Sequence, residues 1–92
     1  MARKHRSKIK LLIDILDSID ENKDTNLTYI SMKANIPHNR LKPIIKSLES
    51  RGLIKINKKD NKTMIISLTE NGYKLLSDLK AFYRILDQIG LL

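Results

Sequence analysis

The residues best equipped for chemistry in this chain are cations and one amide, and they come in three groups. The segment HNRLKPIIKSLES holds Asn39, Arg40, Lys42 and Lys46. The segment KKDNK holds Lys58, Lys59 and Lys62. The first six residues hold Arg3, Lys4 and Arg6. Lysine and arginine donate charge-assisted hydrogen bonds to anionic oxygens. Asparagine carries a donor and an acceptor side by side, so it can match an edge that presents both. These groups recognise. They do not make or break bonds.

Bond-making chemistry finds no support. The chain has no cysteine, which excludes disulfides, thiolate catalysis and cysteine-based metal sites. His5 and His38 stand apart, with no partner at metal-ligand spacing. There is no glycine-rich phosphate loop, nucleophile elbow or H-E-x-x-H. Asp14, Asp17 and Asp20 recur along one helix face without a histidine or cysteine beside them. The sequence predicts a protein that is not an enzyme and needs no cofactor, metal or small-molecule ligand.

Charge placement adds to this. The chain has 92 residues and a net charge of +8. Residues 1–10 carry Arg3, Lys4, Arg6, Lys8 and Lys10 and no acid, whereas residues 14–24 set five acids against Lys23 alone. Residues 40–51 and 55–62 are each +3, and residues 69–92 are neutral. Positive charge concentrated on a few segments is the footprint of a polyanion partner. Solubility charge would be more evenly spread. No apolar run approaches the ~18 residues of a membrane span. The basic N-terminus lacks the apolar centre of a secretory signal. The expected location is the cytoplasm, on the nucleoid.

The elements that must position these groups follow from the apolar spacing. Ile9, Leu12, Ile13, Leu16 and Ile19 predict a helix over 7–19, with Leu11 and Ile15 off its main stripe. The polar run 20–26 reads as a loop, and Thr25 or Asn26 can cap a second helix over 27–34. Asn35-Ile36-Pro37 is a turn, because Pro37 biases Ile36 away from helical geometry. A third helix over 38–51 buries Leu41, Ile44, Ile45 and Leu48, which turns Asn39, Pro43, Lys46 and Ser50 outward. Pro43 lies within it and should either kink the helix or delay its start to Asn39 or Arg40. Gly52 stops it. Residues 53–57 and 63–68 read as a hairpin turned at Asp60-Asn61, and Thr69 caps a long last helix reaching about Ile89.

The order α-α-α-β-β-α, with LLIDIL, ANIP, LESRGLI and SLTENGYKLL in sequence, resembles the small archaeal winged-helix family over about residues 7–88. RGLI followed about fifteen residues later by LTENG is its most specific mark. That family includes PadR- and MarR-like regulators. The likeness is nearest to small basic chromatin-type dimers, one winged helix with a C-terminal dimerisation helix. The expected fold is mainly helical α+β: a basic arm at 1–6, a winged helix-turn-helix at 7–69 and a dimerisation helix at 70–92.

The resemblance implies a homodimer on double-stranded DNA. Helix 38–51 would enter the major groove and the wing at 55–63 would lie on the backbone or minor groove. Asn39 and Arg40 would meet bases, since Asn matches adenine and Arg guanine. Lys42, Lys46, Lys58, Lys59, Lys62, Arg3, Lys4 and Arg6 would hold phosphates or a groove. Leu76, Leu79, Tyr83 and Leu86, at 3-4-3 spacing, would form the dimer seam. Leu75, Phe82 and Ile89 make a second stripe. Transcriptional regulation and sequence-tolerant DNA organisation, as in chromatin or plasmid partition, remain open. So does a protein-interaction adaptor on the same fold. RNA binding is disfavoured by the few aromatics, Tyr29, Tyr73, Phe82 and Tyr83.

Overall fold

The computed structural model describes residues 6–60 and 63–92. Arg3, Lys4, Asn61 and Lys62 lie outside them. The elements run α1 (Lys8–Asn22), α2 (Leu27–Ala34), α3 (His38–Ser50), β1 (Ile54–Lys58), β2 (Met64–Leu68) and α4 (Glu70–Gln88). Four helices and one antiparallel hairpin make the mainly helical winged-helix fold expected.

Each helix starts on a side chain or proline suited to it. Ser7 accepts from the Lys10 N–H, Asn26 from Tyr29, and Thr69 from Gly72. Orphan N–H groups of each first turn are thereby satisfied. Asn26, not Thr25, is the cap of α2. Thr25 instead exchanges backbone hydrogen bonds with Ile66 at 2.9 and 2.7 Å. It thus adds a one-residue third strand to the hairpin inside what reads from sequence as plain loop.

α1 runs three residues past its expected end, to Asn22. Its last turn is tied to α2, because the Tyr29 hydroxyl donates to Glu21 at 2.8 Å and Lys33 sits 3.7 Å from the same carboxylate. That hydrogen bond from the phenol raises the Tyr29 pKa above its usual value.

The turn before α3 holds Asn35 at φ 56°, ψ 56°, a left-handed geometry that asparagine tolerates. Ile36 plugs into the core beneath it. α3 begins at His38, with Arg40 and Leu41 both donating to the Pro37 carbonyl, and runs past Pro43 without interruption. The delayed start expected from Pro43 does not occur. Pro43 removes the donor that would have met the Asn39 carbonyl. Both residues are exposed, so water can satisfy that carbonyl. Gly52, at φ 73°, ends the helix, and Leu53 donates back to Leu48 while Gly52 donates to Glu49.

The core is mostly branched aliphatic. Ile13, Ile15, Leu16 and Ile19 of α1 meet Ile30, Ala34, Ile36, Leu41, Ile45, Leu48, Ile54, Ile66, Leu68 and Leu76. Ile15, expected off the main stripe, is fully buried, while Ile9 and Leu12 are half-buried. The reason is position: α1 is the central helix, packed on α2, β2 and α4 together. Ser18 reaches the interior by donating to the Ile15 carbonyl at 2.6 Å.

Candidate nucleic-acid interface

α3 and the hairpin face one another across an open cleft of about 730 Å³. Asn39, Lys42, Pro43, Lys46 and Glu49 come to it from α3, and Ile56, Met64 and Ile66 from the strands. The i, i+4, i+7 spacing of Asn39, Pro43 and Lys46 puts them on one side of the helix. The buried stripe of Leu41, Ile45 and Leu48 fixes which side that is. Ile44, expected with that stripe, is only half-buried.

Strand register decides which hairpin side chains share the cleft. Ile54 pairs with Leu68, Ile56 with Ile66, and Lys58 with Met64. Directly opposed residues point to the same face of a sheet. Lys58 therefore continues the face of Ile56, Ile66 and Met64 toward the hairpin tip, while Lys55 and Asn57 belong to the other face. At the tip Lys59 donates to the Thr63 carbonyl at 2.8 Å, and the Thr63 N–H donates to the Asp60 carboxylate at 2.8 Å.

Of the expected site residues, Asn39, Lys42 and Lys46 are exposed and line the cleft. Arg40 is exposed but is not among the lining residues. Lys58 and Lys59 are exposed at the hairpin end. Arg6 needs correction as a free arm cation. Its guanidinium donates to Asp14 at 3.1 Å, to the Ala34 carbonyl, and to the Asn35 carbonyl at 3.3 Å. These are carbonyls at the α2 C-terminus, where a cation also suits the helix dipole. Asp14 in turn accepts from Lys10 at 2.7 Å and raises the Lys10 pKa above the usual lysine value.

The expected dimer seam is corrected as well. Leu76 is 4% exposed and part of the core, and Leu79 and Tyr83 pack against it. Leu86 is half-buried. The seam faces this chain's own α1, and Lys80 bonds Asp17 of α1 at 2.7 Å beside it. Toward the end of α4 and at its C-cap the bare apolar residues are Phe82 (50%), Ile85 (53%) and Ile89 (60%), and in its first turn Tyr73 is 44% exposed.

Pro43, Ile56 and Met64 escaped the expected site. Helical spacing does put Pro43 outward, but a proline inside a helix signals a kink or a late start before it signals a surface, and the cleft's other wall depends on the hairpin's register.

The winged helix-turn-helix family pattern matches residues 5–87. The chain belongs to the winged helix-turn-helix family. Its fold is similar to Sso10a-2 of Sulfolobus solfataricus, described as a DNA-binding protein. The TM-score is 0.82 at 23% identity, over 91% of this chain and 85% of that one. AF1382 of Archaeoglobus fulgidus gives 0.72 at 29% identity, over 87% and 90%. The transcriptional regulator BldR, also of S. solfataricus, gives 0.77 at 22%, over 88% of this winged helix but 59% of BldR. Comparison with curated proteins finds no match. Among the described residues, no helix is long and apolar enough to cross a membrane, and no group of acids or histidines is set to hold a metal.

Proposed function

We propose that this protein is a homodimer that binds double-stranded DNA, with α3 in the major groove and the hairpin, as wing, on the backbone or minor groove. The observation that carries this is the meeting of Asn39, Lys42 and Lys46 with the lysine-tipped wing along one exposed cleft. Lys42, Lys46, Lys58 and Lys59 are suited to phosphates, and Asn39 to adenine. Arg40, on the flank, is suited to guanine or to phosphate. Arg3, Lys4 and Lys62 extend the same positive charge in sequence.

The bare stripe of α4 supports the dimer. Phe82, Ile85 and Ile89, the last at the helix C-cap, follow 3-4 spacing, which suits a two-helix seam. A twofold axis there would set two α3 helices against half-sites about one turn, ~34 Å, apart. The uses open to such a dimer are site-specific regulation and sequence-tolerant DNA organisation.

Fluorescence anisotropy at ~0.15 M salt tests this with two labelled duplexes. One carries the DNA upstream of the protein's own gene and the other a scramble of it. Binding that weakens steeply with salt is expected. A preference of ~10³ or more for the upstream DNA would mark a specific regulator, and equal binding a DNA organiser. Lys46→Ala should weaken both duplexes alike and shallow the salt slope by about one. Absence of binding at any salt would leave the protein-interaction adaptor as the function.

A further inference from the structure

Arg6 is held at a place that its neighbours in sequence can use. Its guanidinium donates to the Ala34 carbonyl, to the Asn35 carbonyl at 3.3 Å and to Asp14 at 3.1 Å. Those carbonyls close the C-terminal end of α2, and Asn35 stands three residues before the first residue of α3. The next residue, Ser7, has extended backbone at φ −64°, ψ 159° and caps α1 by accepting from the Lys10 N–H. Two successive residues are thus fixed, one on the turn of the helix-turn-helix and one on the start of α1. A chain fixed twice in this way meets the domain at one defined place, beside the turn that leads into α3.

Connectivity limits where the preceding cations can go. Lys4 and Arg3 are two and three residues before Arg6. At ~3.5 Å per residue, their Cα atoms stay within about 7 and 11 Å of the Arg6 Cα. Residues 1–10 contain no acid, and Asp14, the first acid in the sequence, is already bonded to Arg6 and Lys10. Arg40 is exposed in the first turn of α3 and lies outside the wing cleft. The turn and the start of α3 therefore have cations near them that are separate from Lys42 and Lys46 of the cleft.

We propose that Arg6 positions the basic segment before it, so that Arg3 and Lys4 hold backbone phosphates beside the α2–α3 turn, a second phosphate contact apart from the wing. This deepens the DNA-binding reading and rests on it. Arg6 is a positioning residue: it touches no phosphate and acts through the chain it fastens. A loose basic tail adds only diffuse attraction, because each residue ordered on DNA loses backbone freedom. Fastening at Arg6 removes part of that loss before DNA arrives, which is preorganisation. Arginine suits the task, since its planar fork reaches two carbonyls and a carboxylate at once.

The test is fluorescence anisotropy of the full chain with one labelled duplex over a series of salt concentrations. The double variant Arg3→Ala/Lys4→Ala should shallow the salt slope by about two, one for each phosphate released. Arg6→Ala should leave the slope as it is and weaken binding about five- to thirtyfold at every salt, the effect of one more residue to be ordered. Arg6→Lys keeps the charge but not the fork, so it should weaken binding as well. The triple variant decides the matter. Without the arm cations, Arg6→Ala should change affinity by less than about twofold, because nothing is left for it to position. Urea unfolding of each variant keeps a folding defect apart from a binding one. A merely structural Arg6 would weaken binding equally in both backgrounds, and that result overturns the inference. A slope that loss of Arg3 and Lys4 leaves unchanged overturns it too, with DNA binding by α3 and the wing still standing. Failure to bind any duplex removes the DNA-binding reading and this inference together.

Discussion

α1 and α4 are both apolar on more than one side, yet only α1 has every apolar residue at least partly buried. α1 buries Ile13, Ile15, Leu16 and Ile19 among α2, β2 and α4. α4 buries Leu76, rests Leu75, Leu79 and Tyr83 on the core, and leaves Phe82, Ile85 and Ile89 about half exposed or more. Similar apolar content thus has different consequences. On α1 it supplies the stability of a small domain, which for this length is on the order of 5–14 kcal/mol. On the outer half of α4 it supplies little within the monomer, and the proposed dimer rests on it. The comparison separates the helix that builds the core from the one that carries the proposed association surface, two helices in contact.

The sharpest way to break that comparison is Ile15→Ala. A fully buried isoleucine should cost about 2–5 kcal/mol, a large part of the total. Urea unfolding would show it as a lower midpoint with an unchanged slope. A loss below about 1 kcal/mol would mean α1 is not the central helix of the core.

Gly72→Ala comes next. A Cβ there would lie 2.1 Å from the Leu53 carbonyl oxygen, a backbone atom that already accepts from Thr69 at 3.1 Å. The first turn of α4 would have to move off the hairpin, at roughly 1–3 kcal/mol. Thermal denaturation should register a clear drop. No drop would show the α4 start to be looser than its contact implies.

Ile85→Asp sharpens the contrast from the other side. Monomer stability should stay within about 0.5 kcal/mol, as for an exposed site. Sedimentation should shift from dimer to monomer. A variant that remains dimeric would place the seam elsewhere.

The smallest effect is expected from Arg6→Ala, at about 1 kcal/mol, through loss of its bonds to Asp14, Ala34 and Asn35. The salt slope of DNA binding should not change, because this guanidinium is engaged within the fold. A slope shallower by one would return Arg6 to the set of phosphate contacts.

Much of the fold was legible because local rules and long-range packing agree. Ile36 beside Pro37, Gly52 after α3 and Thr69 before α4 each took the expected place. Local geometry demands those residue types, so their signals survive without tertiary knowledge. The errors fall where a second element decides. Local rules left Thr25 and Asn26 equal as caps of α2, and only the backbone partner that β2 offers Thr25 decides between them. Arg6 looked like a free arm cation, and only the folded turn brings the Ala34 and Asn35 carbonyls to it.

The candidate site divides in the same way. Spacing alone put Asn39, Pro43 and Lys46 on one side of α3 and gathered lysines at the hairpin tip. It could not say that Ile56 and Met64 close the other wall, because that depends on which strand residues pair. Nor could 3-4-3 spacing tell the inner stripe of α4 from the outer one. Both stripes have helical period, and only the position of α1 decides which is covered.

The sequence by itself therefore determined the elements, the residues that start and stop them, the inner stripe of α4 and the charge on α3 and the wing. These follow from dihedral preference, periodicity and charge, which act over a few residues. The tertiary structure decided which stripe stays bare, where Arg6 is held, and that apolar side chains from α3 and the wing share one cleft. Those facts depend on contacts between residues far apart in the chain, and no local preference encodes them.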